Sequence, residues 1–325
     1  MVKAIRIHAP GGPDALSWDD VSVPDPGARQ VHVRHTAIGV NYIDVYHRTG
    51  LYPVPSLPAV IGMEAAGVVV SVGPGVSDLT PGQRVAYATP PVGAYAEERL
   101  IPADRLVPLP DAIADQQAAA MMLQGMTAQY LLRRTYAVQP GDPILVHAAA
   151  GGVGQLLCQW GKHLGAQVIG TVGSDEKAEI ARANGCDHTI VYSREAFAPK
   201  VRELTNDEGV AVVYDGVGKS TFDGSLDCLR PMGMMVSFGN ASGPVSPFEP
   251  AILSQKGSLF FTRPTLMTYT AKTQDLRTSA RELFDVVLSG SVRVTVTKTY
   301  PLHDAAQAHR DLEGRKTTGS IVLLP

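Results

Sequence analysis

Between Pro143 and Arg263, six apolar runs of strand length alternate with helical segments: PILVHAA, QVIGTVG, HTIVY, VAVVYDGVG, MVSFGN and SLFFTRP. Runs that are apolar throughout, with helices between them, call for βαβ crossovers and a parallel sheet covered on both faces. The first run ends in Ala149-Ala150-Gly151-Gly152-Val153-Gly154, and a helix is expected from Gly154. This is the GxGxxG turn of a dinucleotide-binding unit with alanine at the first position, in the strand–turn–helix context that the motif requires. Gly151 lets backbone approach a pyrophosphate, Gly154 lets the helix close on the sheet, and the helix start offers N–H groups and a positive dipole end. Ala149 is acceptable provided its backbone is not left-handed.

The second run adds a detail. A site for an unphosphorylated adenosine ribose places Asp or Glu about twenty residues after the turn. Here that place holds Val172, followed by Ser174 and, a turn later, Lys177. No carboxylate repels a 2′-phosphate, a hydroxyl can donate to one, and an ammonium can balance its charge. Asp175 and Glu176 suit the first turn of the next helix and point elsewhere. NADPH is therefore expected over NADH.

Up to about Asp111 the texture is different. KAIRIH, VHVRHTAIGV, AAGVVVSVG, RVAYAT and LVPLP are strand-like and are separated by turns such as PGG, PDPG, GPG and TPGQ. They predict a compact, barrel-like β region. The stretch from Ile113 to Val138 is helix-rich. Beyond Arg263 come a helix, TSARELFDVVLSG, and the strand-like VTVTKTYPL and SIVLLP flanking the helix AAQAHRDLEG, a tail expected to return to the first domain. The expected fold class is α/β, a β-barrel domain with a doubly wound parallel sheet. The domains are residues 1–125 with 264–325, and residues 126–263.

With 325 residues, two domains is the natural division. The net charge of -3 gives no electrostatic case for nucleic acid or an anionic membrane surface. The opening MVKAIRIHAPGG does not read as a signal peptide, and no apolar run reaches membrane-spanning length. Three cysteines, Cys158, Cys186 and Cys228, lie far apart in the chain without a CxxC, so neither a disulfide framework nor a zinc knuckle is expected. A reducing cytoplasm is the simplest compartment. The nine histidines show neither HxxxH nor HExxH spacing. His147 reads as a core residue of the first strand and Cys158 as packing on an apolar helix face. Asp44 and Arg48 are spaced to pair across one helical turn.

Asn41-Tyr42-Ile43-Asp44, Tyr46, Arg48, GLYPVPSLPAVIGMEAAGVV, AAAGGVG, VVYDGVG, LRPMGMMVSFGNASG and QKGSLFFTRPTL occur in this order. Together they resemble the NADPH:quinone oxidoreductases, the zeta-crystallin-like, zinc-free branch of the medium-chain dehydrogenases/reductases, over essentially the whole chain. The resemblance implies a GroES-like catalytic domain, a Rossmann domain and a cleft between them. Zinc-dependent members of that superfamily carry a Cys ligand where this chain has Asn41 and a His-Glu pair where it has Met63-Glu64. A thioether without partners is a poor zinc ligand, so no metal is expected. The four-cysteine structural lobe of the alcohol dehydrogenases is absent as well, since TPPVGAYAEE spans that region.

The resemblance places Asn41, Tyr46 and Tyr52 in a quinone pocket, with Gly125 and Thr127 of LQGMTA bordering the nicotinamide. On the cofactor side it adds Gly152, Val153, Ser174, Lys177, Tyr192, Val217, Phe238, Gly239 and Arg315, with Asn240 near the carboxamide. Tyr192 and Arg315 are placed at the adenosine phosphate. At Gly216 relatives often carry a larger polar residue, which removes a hydroxyl contact here. The same cleft suits the double bond of an enone or enal. A non-catalytic, crystallin-like NADPH-binding protein, or an RNA-binding one, is the alternative of a different class. The apolar strand SLFFTRP at the sheet edge invites a second subunit, and a homodimer is expected. Lys177→Ala is expected to raise the KM for NADPH about tenfold, the cost of one charged hydrogen bond, with that for NADH little changed; steady-state kinetics with both cofactors checks this.

Overall fold

The structure is a computed structural model that describes residues 1–325. The chain divides into two compact units: Met1–Met126 with Thr270–Leu288 and Val294–Pro325, and Thr127–Tyr269 with Ser289–Arg293. The short segment Ser289–Arg293 joins the second unit through Gln159, whose side chain donates to the Arg293 carbonyl at 3.0 Å and accepts from its N–H at 2.8 Å.

The first unit is built on two sheets. Val2–Ile7 pairs antiparallel with Leu16–Val21 and Ala59–Val60. The larger sheet centres on Gln30–Val40, which pairs antiparallel with Glu64–Val72, Glu98–Pro102 and Ser320–Leu324. The C-terminal strand thus lies beside Val40, and Val296–Pro301 runs parallel to it. Between these sheets lies a core that includes Ile5, Ile38, Tyr87, Tyr95 and Leu323. Leu16–Val21 holds Asp19 and Asp20, and Glu98–Pro102 holds Glu98 and Arg99, charged residues that hide both strands from a search for apolar runs.

In the second unit six strands lie in parallel, in the spatial order His188–Val191, Gln167–Val172, Pro143–Val146, Val210–Asp215, Leu229–Ser237 and Phe260–Thr262. Numbered along the chain this is 3-2-1-4-5-6, the order that places a topological switch beside the first strand. The helix after the first strand is Gly152–His163, opening two residues before Gly154. Phe260–Thr262 is the edge strand, with Phe260 58% exposed. No helix is long and apolar enough to cross a membrane.

Gly67 shows how closely the strands of the first unit approach. A Cβ there would lie 2.3 Å from the Arg34 carbonyl oxygen. Backbone cannot move aside as a side chain can, so Gly67→Ala is expected to cost about 1–3 kcal/mol, read as a lower urea midpoint at unchanged m-value.

Candidate active site and cofactor turn

In the second unit the chain leaves Val146 and bends at Ala148, whose φ of 52° is left-handed. The strained position is therefore Ala148, and Ala149 needs no glycine. The Gly151 N–H donates to the Ala148 carbonyl at 2.8 Å, and Gly151 caps the helix that follows. A Cβ on Gly154 would stand 2.2 Å from the same carbonyl oxygen, whereas one on Gly151 would meet only that oxygen, at 3.2 Å. Gly154 is thus fixed by packing, while Gly151, Gly152 and Val153, each half-buried, leave the helix start open to an anion.

The end of the second strand gathers the groups expected around a ribose. Val172 is buried, and the Ser174 Oγ accepts from the Lys177 N–H at 3.3 Å, capping the helix Asp175–Ala183. Asp175 turns to Arg194, with Nη2 to Oδ1 at 2.7 Å. Its carboxylate is therefore occupied by a cation that the sequence reading missed. The only sequence signal for Arg194 is a basic residue two places after Tyr192. The Tyr192 hydroxyl rests against Gly173, where a Cβ would lie 2.7 Å from it. Ser174, Lys177, Tyr192 and Arg194 thus cluster at one strand end.

Val217, Phe238, Gly239 and Asn240 are brought together by Asp215. Its Oδ1 accepts from the N–H groups of Val217 at 2.7 Å and Gly218 at 2.9 Å, and its Oδ2 from the Thr221 hydroxyl at 2.7 Å. A Cβ on Gly216 would lie 3.0 Å from the Phe238 ring, and one on Gly239 2.3 Å from the Gly216 carbonyl oxygen. The smaller residue at 216 thus makes room for Phe238. His147 lies just past the first strand and is a satisfied core residue. Its Nδ1 lies 2.8 Å from the Thr171 hydroxyl and its Nε2 2.9 Å from the Ser225 hydroxyl, tying two strand ends to the helix Phe222–Asp227.

In the first unit Asn41 precedes the helix Tyr42–Thr49, and its side chain is engaged at both ends. Nδ2 donates to Glu64 Oε2 at 2.7 Å, and Oδ1 accepts from Gln124 Nε2 at 3.0 Å. Gln124 in turn accepts from the Ser320 hydroxyl at 2.8 Å, and Glu64 Oε1 from the Leu123 N–H at 2.7 Å. The missing side chain of Gly125 is accounted for by Leu283, which a Cβ would meet at 2.4 Å. Thr127 is buried on the helix Met122–Tyr130. Tyr46 and Tyr52 meet edge to face with ring centres 5.1 Å apart, Tyr42 lies 6.1 Å from Tyr46, and His47 lies 6.2 Å from Tyr52.

Asp44 and Arg48 do not pair with each other. Asp44 Oδ2 accepts from the Asn41 N–H at 2.8 Å and from the Tyr95 hydroxyl at 3.1 Å. Arg48 makes a two-pronged bond to Glu313 at 2.8 and 2.9 Å and donates to His309 Nδ1 at 3.0 Å. Because arginine can only donate, His309 Nδ1 accepts and its Nε2–H points to the Tyr95 oxygen, 2.9 Å away. Tyr95 then donates to Asp44. The interaction with distant His309 and Glu313 overrides the local spacing. Arg315 has a left-handed backbone of φ 57°, and its charge acts on the Tyr42 phenol.

The donors at Asn41, Met63 and Glu64 do not fit zinc. The carboxamide and the carboxylate are bonded to each other, and the third residue is a buried thioether. No group of three His, Cys, Asp or Glu side chains elsewhere could hold a metal.

A GroES-like β unit with a six-stranded dinucleotide sheet and its glycine turn defines a medium-chain dehydrogenase/reductase. Residues 27–111 match the family described as alcohol dehydrogenase GroES-like domain, and residues 152–285 that described as zinc-binding dehydrogenase. The chain is 52% identical to a quinone oxidoreductase of Pseudomonas aeruginosa, with 100% of each chain covered. It is also 52% identical to a 2-haloacrylate reductase of a Burkholderia species, covering 100% of this chain and 99% of that one. The crystal structure of Escherichia coli quinone oxidoreductase complexed with NADPH superposes with a TM-score of 0.98 at 47% identity, covering 99% of this chain and 100% of that one. The chain belongs to the quinone oxidoreductase family.

Burial without hydration raises Asp44 to about 7 and Glu64 to about 8, and drives His35 and His309 down to about 3. The folded carboxyls therefore keep protons that the unfolded chain releases near their ordinary values of 3.8 and 4.5, so both lower stability as pH rises towards 8. The two histidines act in the opposite sense only below 6.5, where the unfolded chain protonates them. The urea midpoint is expected to fall between pH 6.5 and about 8, and Glu64→Gln to flatten that fall.

Proposed function

We infer that this chain reduces quinones with NADPH and does so without a metal. The observation that carries the reading is the ribose end of the second strand. Val172 stands where an acid would exclude the 2′-phosphate, Asp175 is turned to Arg194, and Ser174, Lys177 and Tyr192 remain beside it. The close likeness to a quinone oxidoreductase complexed with NADPH supports it.

The turn Gly151–Gly154 suits a pyrophosphate, since Gly151, Gly152 and Val153 leave the helix start open to it. Gly152 and Val153 would hold phosphate oxygens, with Arg315 assigned to the adenosine phosphate. Gly125, Thr127, Val217, Phe238, Gly239 and Asn240 would border the nicotinamide. When bound, NADPH supplies the two electrons of the reduction. What the chain contributes is position: Tyr46 and Tyr52 offer ring faces and hydroxyls to a flat acceptor. Asn41 is held by Glu64 and Gln124 and so presents one fixed orientation. A quinone is already a strong acceptor, and its reduced oxygens are stabilised by the ring, so holding the two partners together supplies much of the acceleration.

A second reading has one observation in its favour, the 2-haloacrylate reductase at 52% identity. In that reading the same residues present the carbon–carbon double bond of an unsaturated carbonyl compound. NADPH oxidation with a series of quinones and with 2-haloacrylates separates the two, and turnover of the acrylate alone would replace the first reading. We also propose a cytoplasmic homodimer, from the exposed edge strand Phe260–Thr262.

Tyr52→Ala is expected to raise the quinone KM about fivefold and to leave the NADPH KM nearly unchanged. Light scattering is expected to give twice the 34.5 kDa chain mass.

A further inference from the structure

Cys158 and Cys186 are distant in sequence and meet inside the second unit. Cys158 lies in the middle of the helix Gly152–His163 and is fully enclosed. Cys186 follows the turn after the helix Asp175–Ala183 and is 7% exposed. The two Sγ atoms are 3.2 Å apart, and both thiols are free. The turn packs directly on the helix, since a Cβ on Gly185 would lie 3.1 Å from the Cys158 carbonyl oxygen. A disulfide bond is about 2.05 Å long, so roughly 1 Å of approach would join the sulfurs.

The pair also touches the cofactor turn. A Cβ on Gly170 would lie 2.6 Å from the Cys186 sulfur and 2.7 Å from the Ala149 methyl carbon, so these two groups face each other across Gly170. Cys158 sits on the helix whose first residues, Gly152 and Val153, open towards the phosphates. Drawing the two sulfurs together therefore pulls on both sides of the turn. The third cysteine, Cys228, is fully enclosed, and burial pushes its thiol to about 12.

We propose that Cys158 and Cys186 form a reversible dithiol–disulfide site that reacts with hydroperoxides and, once oxidised, weakens NADPH binding. This rests on the reading of the Gly151–Gly154 turn as the NADPH site. Cys186 is the less deeply enclosed of the two, 7% exposed against none for Cys158, so it is the one assigned to meet the peroxide first. Its sulfur attacks the O–O bond, forming a sulfenic acid and releasing one water. Cys158 then displaces the hydroxyl group as a second water, and the S–S bond forms. Two thiols lose two electrons and two protons, and one hydrogen peroxide takes them up. A small dithiol reverses the step by exchange. Cys158 is assigned the second role because it is fully enclosed and its sulfur lies 3.2 Å from that of Cys186.

The test uses the full chain, treated with hydrogen peroxide and then followed by intact mass, peptide mapping and kinetics. The expected result is a loss of two hydrogens, a Cys158–Cys186 cross-linked peptide and an unlinked Cys228. The linked enzyme is expected to show a KM for NADPH raised about tenfold, restored by dithiothreitol. Coupling between sites is reciprocal, so NADPH should raise the midpoint potential of the couple by about 30 mV for that tenfold change. Cys186→Ala should form no link and keep its NADPH KM after peroxide. The proposal is overturned if no link forms, if the linked enzyme binds NADPH as before, or if peroxide changes the Cys186→Ala variant equally. Failure of the reduced chain to bind NADPH sinks the cofactor reading and this proposal together, whereas a link without a change in KM sinks the proposal alone.

Discussion

The close approach of the helix Gly152–His163 to the Ala148 carbonyl sets the geometry of the second unit. Only a residue without Cβ can stand at Gly154, 2.2 Å short of that oxygen. The helix begins at Gly152, and its first N–H groups lie at the end of the sheet, where the helix dipole favours an anion. The neighbouring strand ends inherit this arrangement. His147 ties the turn to Thr171 and Ser225, and Asp215 gathers the Gly216–Gly218 loop under Phe238. In the proposed function, cofactor recognition rests on this backbone packing, and Lys177 and Tyr192 are the side chains proposed to set the selectivity.

The first unit is organised by buried polar groups. Glu64, Asn41, Gln124 and Ser320 form one hydrogen-bonded chain, and Arg48, His309, Tyr95 and Asp44 form another. Most of these buried polar atoms have a partner, which is the condition for keeping such groups out of water, and Asp44 Oδ1 is the exception. The two chains meet at Asn41, whose side chain belongs to the first and whose N–H donates to Asp44. Both fix the helix that carries Tyr46. The Asn41 amide donates to the Glu64 carboxyl group, whose protonated form burial favours up to about pH 8.

Much of this was legible along the chain. The parallel sheet, the glycine turn and the missing acid at Val172 are local patterns, because burial on both faces and a tight turn restrict residue types directly. The strand Leu16–Val21 was not legible, since it mixes Ser17, Asp19 and Asp20 with Leu16, Trp18 and Val21 on both faces and its pairing with Val2–Ile7 is what makes it a strand. Arg194 was missed because its role follows from where the third strand ends, beside Asp175. Asp44 and Arg48 have the spacing of an ion pair, yet both turn to residues far away in sequence.

The sequence by itself determined the two kinds of architecture, the dinucleotide turn and the unsuitability of Asn41, Met63 and Glu64 for zinc. These depend on periodicity, on glycine and on the chemistry of single residues. Tertiary structure alone decided the partners: Asn41 with Glu64 and Gln124, Arg48 with Glu313, and Cys158 with Cys186. Hydrogen bonds and sulfur contacts act over about 3 Å, and only folding brings such distant residues within that reach.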